Sequence, residues 1–185
     1  MASVQFNVSK GREVELYNRV DGNDPTNSAF ILMILASGSA NGINGIIDMD
    51  TFAAILAGGY TEVTNAGYAR KTLTDASITP YTVDDTNNRI LLTLPLQTFS
   101  GVSAGDTWDI GVWGYDNDTT GGTDANIVPI SAHEKPWMRA RRTATASAAA
   151  SSCLAREMRM SSSKGFSSPG SWASMAVLMR QLSLT

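Results

Sequence analysis

Between residues 3 and 133, short segments in which apolar and polar side chains alternate recur between clusters of Asn, Asp, Gly and Ser, and this spacing constrains the fold most. "SVQFNV" puts Val4, Phe6 and Val8 on one face, and "EVELYNRV" separates Val14 and Leu16 from Glu13 and Glu15. Both are expected to be half-buried strands. "AFILMILA", Ala29 to Ala36, is apolar on both faces, which suits a central strand, although eight residues also fit a buried helix. "GYARKTLT", "ITPYTV", "RILLTL", "TWDIGVWGY" and "ANIVPIS" complete the series, with "VDDTNN" as a hairpin turn between two of them. One helix is predicted near Thr51 to Ala57, with Asp50 as N-cap, Phe52, Ile55 and Leu56 as its apolar face, and Gly58 as its stop. About eight short strands at a spacing of ~8–12 residues predict a mainly β chain, an antiparallel β-sandwich or barrel with one short helix and an extended C-terminal arm. Parallel α/β would need more crossover helices.

The charge changes sign along the chain. Residues 1–133 carry six Lys and Arg against fifteen Asp and Glu, a net −9, whereas residues 134–185 carry eight basic against two acidic residues, a net +6. The second segment also lacks Asp, Asn, Ile and Tyr and is dominated by Ser, Ala, Arg and Met. Such a shift marks a boundary, giving a β domain over 1–133 and a basic arm or aberrant tail over 134–185. In the tail Trp137 would anchor a partner, with Arg139, Arg141 and Arg142 as ion-pair donors to an acidic surface. A stretch read out of frame would give the same bias. Trp172, Met175, Met179 and Leu182 stand at helical spacing, but the Ser-rich runs around them leave too little apolar surface for an independent domain.

Several functional classes find no support. The longest apolar run, Ala29 to Ala36, falls short of the ~18 residues of a membrane helix. "MASVQFNVSKGR" has no basic region followed by an apolar stretch, so it does not read as a secretory signal. Cys153 is the single cysteine and His133 the single histidine, which rules out an intramolecular disulfide and a zinc site of ordinary composition. No nucleophile motif flanks His133 in "SAHEKPW", and a lone histidine at a strand end is read as a packed or solvated residue. "GSANGING" lacks the lysine of a phosphate loop and is read as a flexible loop. Asp84–Asp85, Asp48 and Asp50 are read as turn and cap residues rather than acid–base pairs.

"YDNDTTGGTDAN" is closest to a metal motif. An EF-hand starting at Asp116 would place Asp118, Thr120, Gly121, Gly122 and Asp124 suitably, but Ile127 stands where the bidentate Glu belongs, and a strand-like segment precedes it. A polar turn is expected, with no catalytic residue, metal or cofactor.

"SKGREVELYNRVDGNDPTNSAFILMIL", "TNAGYARKTLTDA", "VDDTNNRI" and "YDNDTTGGTDANIVPISAH", in that order, resemble small virion structural proteins of tailed bacteriophages over about Ser3 to His133. The resemblance implies a non-enzymatic role, a capsid decoration or cement protein first and a tail or head–tail connector component second. It implies the major capsid protein or other virion proteins as partners, a homo-oligomer, synthesis in the bacterial host cytoplasm and a place in the virion. Nucleic acid is not an expected partner, because the acidic body would be repelled by a polyanion, and a membrane is not expected for want of a long apolar run.

Overall fold

The computed structural model describes residues 2–38 and 42–134 and, beyond them, the backbone of two short strands. Among the described residues the chain is mainly β, with antiparallel sheets and two α-helices. The strands are β1 (Ser3–Gln5), β2 (Ala29–Ala36), β3 (Lys71–Leu73), β4 (Thr82–Asp84), β5 (Arg89–Leu92), β6 (Gln97–Phe99), β7 (Trp108–Asp116), β8 (Val128–Glu134), β9 (Met175–Val177) and β10 (Leu182–Leu184). The helices are α1 (Glu13–Asp21) and α2 (Phe52–Ala57). A five-stranded sheet in the order β1-β8-β7-β2-β3 forms the centre, and β10-β5-β4 and β6-β9 form smaller sheets.

β2 is apolar on both faces because both faces of the central sheet are covered. Phe30, Leu32 and Ile34 point into one core, shared with Leu16, Tyr17 and Val20 of α1, Leu92 of β5 and Phe99 of β6. Ala29, Ile31, Met33 and Leu35 point into a second core with Phe6, Ile46, Phe52 and Ile55. The molecule is therefore sandwich-like: the large sheet faces α1 and the short strands on one side, and α2 with a 3₁₀ turn at Ile43–Ile46 on the other.

A bulge turns one aromatic residue into the first core. Leu35 pairs with Ile110 but Ala36 pairs with Trp108, so Asp109 is an extra residue in β7. Strict alternation would put Trp108 on the side of Ile110 and Val112. The bulge instead sends it to the side of Trp113, where it meets Phe99 edge-on with ring centroids 5.0 Å apart.

Four expectations need correction. Glu13–Asp21 is a helix rather than a strand. Glu13, Leu16, Tyr17 and Val20 are its buried residues, a helical i, i+3, i+4, i+7 series that outweighs the brief alternation of Val14 and Leu16. Arg12 and Arg19 both contact Glu15 at helical spacing, and Gly22 donates its N–H to Asn18 O at the C-cap. There are thus two α-helices among the described residues rather than one. The N-cap of α2 is Thr51, not Asp50: the Thr51 hydroxyl accepts from Ala54 N–H at 3.1 Å. "GYARKTLT" contributes only Lys71–Leu73 as strand; ahead of it the Tyr68 hydroxyl accepts from Ile34 N–H and the Arg70 guanidinium donates to Glu62. Finally, the segment with Met175 and Leu182 at helical spacing contains β9 and β10, which pair with β6 and β5.

Candidate functional site

Two polar arrangements and one exposed strand edge stand out among the described residues. The first begins at Arg70, just before β3. Its Nη2 lies 2.7 Å from Glu62 Oε2, its Nη1 contacts Asp124 Oδ1, and its guanidinium sits 5.6 Å from the Phe52 ring centroid. Tyr68 donates its hydroxyl proton to Glu62 Oε1 at 2.8 Å and accepts the Ile34 N–H at 2.9 Å. Asp124 is held below the ordinary carboxylate range by its hydrogen bonds to Arg70, and Tyr68 is pushed well up by burial. One cation held between two carboxylates at a planar fork is a clamp joining the segment after α2 to the β7–β8 loop.

The clamp accounts for one acidic residue of the EF-hand-like stretch, and local turns account for others. Asp118 N–H donates to Asp116 Oδ1 at 3.1 Å, and Thr120 donates to Asp118 Oδ1 through both its N–H and its hydroxyl. Such turns are what Asp side chains make with backbone two residues on. A Cβ at Gly122 would lie 2.7 Å from Asp116 Oδ2, so the loop closes tightly around that carboxylate. Among the described residues no group of three or more His, Cys, Asp or Glu side chains is placed to hold a metal ion. Asp84 similarly accepts from Asn87 and Arg89 in the β4–β5 hairpin.

The second arrangement is at β8. His133 Nε2 lies 3.1 Å from Ser131 Oγ, two residues away on the same strand face. Burial lowers the His133 pKa, which favours the neutral imidazole. A hydroxyl at this distance from an imidazole is the geometry of an activated nucleophile. Ser131 is only 4% exposed, however, and Ser131, Ala132 and His133 are paired to β1 on one side and β7 on the other. Their amides therefore serve the ladders rather than a developing oxyanion. This contact was legible as Ser-x-His inside a period-two segment, but the sequence alone does not show that the serine is buried.

Ser131 also lines a cavity of about 20 Å³ beneath α1, together with Glu13, Tyr17, Phe30, Trp113 and Leu94 among others. Glu13 is 5% exposed, and its Oε1 has no hydrogen-bond partner. Sequence reading placed Glu13 on the polar face of a strand. The helix instead carries it inward.

The third arrangement is a surface. β4 is an outer strand of its sheet, and Tyr81 and Val83 beside and within it are 37% and 62% exposed. The proposed partner residues Trp137, Arg139, Arg141 and Arg142 lie outside the described residues. No family model, curated protein or solved structure matches the chain.

Proposed function

We propose that the chain is a non-enzymatic structural component of a tailed-bacteriophage virion, a capsid decoration or cement protein that covers contacts between capsid subunits as a symmetric oligomer. The observation that carries this reading is the resemblance of Ser3 to His133, which spans nearly the same residues as the continuous β body, Ser3 to Glu134. The body has attributes such a role needs. Two apolar cores back both faces of one sheet, which makes a stiff platform, and long polar turns tolerate an exterior position. Among the described residues β4 lies at the edge of its sheet with an exposed Val83, suited to adding a strand from the major capsid protein.

Copy number in purified particles tests the assignment. A decoration protein is present on the order of hundreds of copies, following capsid symmetry. About a dozen copies or fewer would replace it with the head–tail connector reading, and absence from particles would remove the virion role altogether.

A further inference from the structure

The apolar face of the β10-β5-β4 sheet runs out at β4. Val83 pairs with Ile90, so the two side chains share one sheet face, and Ile90 packs against the first core. Ile90 is half-buried there, yet Val83 stays 62% exposed because, among the described residues, no strand lies beyond β4. The exposed large apolar side chains among the described residues are Tyr81, Val83 and Leu96, all in this hairpin or the segment that follows it. β4 carries neither Lys nor Pro, and its Thr82 and Val83 are β-branched, so its three residues lack the side chains that keep another strand away.

The charge around β4 has one sign. The strand ends in Asp84 and is followed by Asp85. Near its start, Asp21 adds to burial in raising the pKa of the Tyr17 hydroxyl, which lies 2.8 Å from Thr79 O. The four arginines before Glu134 already contact Glu15, Glu62, Asp84 or Asp124, so none is left to neutralise this edge. An acidic strand laid on β4 would be repelled. A strand apolar on both sides would cover Val83 but desolvate Thr82 and Asp84 on the opposite face. A strand with β-branched residues on one face and Lys or Arg on the other continues the apolar face past Val83 and brings a cation to Asp84. That carboxylate has about four acceptor sites, which Asn87 and Arg89 do not exhaust.

We propose that β4 docks an extended partner segment in which β-branched apolar residues alternate with basic ones. The proposal rests on the virion reading for the source of that segment, the major capsid protein. The full chain is titrated with acetyl-Lys-Val-Lys-Val-Lys-Val-amide and with analogues carrying Glu for Lys or Ser for Val. The readout is the Tyr81 ring resonances, identified with Tyr81→Phe.

A saturable shift is expected with the Lys-Val peptide, weakening at high salt, with affinity about tenfold or more lower for either analogue. Val83→Lys sets a cation on the edge and should weaken binding by a similar factor, while Tm changes little because the side chain is largely exposed. No saturable shift with the Lys-Val peptide, equal binding by either analogue, or undiminished binding by Val83→Lys would overturn the proposal. If Val83→Lys lowers Tm, Val83→Thr, which keeps the shape and replaces one methyl by a hydroxyl, provides the comparison: undiminished affinity in that variant would equally overturn it. Copy number judges the virion reading separately. Peptide binding by a chain absent from particles would uphold the β4 site and remove the capsid protein as its source, whereas no binding by a chain present in particles would overturn the β4 site alone.

Discussion

Gly114 and Gly111 both lie in the middle of β7, yet only one needs the missing side chain. A Cβ on Gly114 would stand 2.5 Å from Phe52 Cε1 and 2.7 Å from Ile127 Cγ2, while one on Gly111 would meet nothing closer than Ile34 and Leu32 methyls at 3.6 Å. Gly114→Ala should therefore destabilise by about 1–3 kcal/mol through overpacking, and Gly111→Ala by less than about 0.5 kcal/mol, as measured by urea unfolding. Equal effects would mean that α2 can shift away from β7. Arg70 presents the opposite case, a residue whose partners are left behind when it is removed. Arg70→Ala leaves Glu62 and Asp124 facing each other half-buried, and a loss of about 2–3 kcal/mol is expected. The sequence contained all three residues of this clamp, but Glu62, Arg70 and Asp124 are brought together by chain reversals that no local spacing encodes.

At the level of elements, the long strands were legible and the short helices were less so. β2 and β7 are continuous apolar or alternating runs bounded by turn residues, and both lie where those runs lie. α1 was misread because its first four residues, Glu13 to Leu16, alternate as a strand would. The decision falls to the pairing of Tyr17 and Val20 with the sheet. α2 is only six residues long and depends on its cap. Thr51→Ala removes the hydroxyl that accepts the Ala54 N–H and should cost about 1 kcal/mol, whereas Thr51→Ser should cost less than half of that. Asp50→Ala should leave stability nearly unchanged, since Asp50 is not the capping residue. Thermal melts of the three variants check the assignment.

For the whole molecule, acid should act in two steps. His133 has its pKa lowered from the ordinary 6.5 by burial, so the unfolded chain binds the proton more readily. Stability from this group is present above about pH 6.5 and declines as the pH falls below it. Asp124 has its pKa lowered from 3.8 by Arg70, so its contribution is present above about pH 4 and is lost as the pH falls through its folded value. Urea midpoints should drop between about pH 7 and pH 5, and His133→Gln should flatten that part of the curve only. A slope unchanged in the variant would assign it elsewhere. Both core clusters among the described residues are drawn from Leu16 to Ile130 and from Phe6 to Ala132. A chain ending after Glu134 should consequently unfold in one transition with Tm within about 5 °C of the full chain. On the proposed function, the same truncation should weaken attachment to particles, and more so at high salt if the contacts that remain are ionic. A large fall in Tm would mean that β9 and β10 complete the body rather than extend it.

The sequence by itself determined the antiparallel β character, the place of the two central strands and the polar nature of the β7–β8 turn, because period and turn chemistry are local and survive without knowledge of partners. Tertiary structure decided what nearest neighbours cannot encode. The helical state of Glu13–Asp21 depends on an apolar sheet for Leu16, Tyr17 and Val20 to cover. The inward turn of Trp108 depends on a bulge set by the register with β2. The burial of Glu13 follows from that helix, since a carboxylate on a helix end is solvated or enclosed according to what is packed over it.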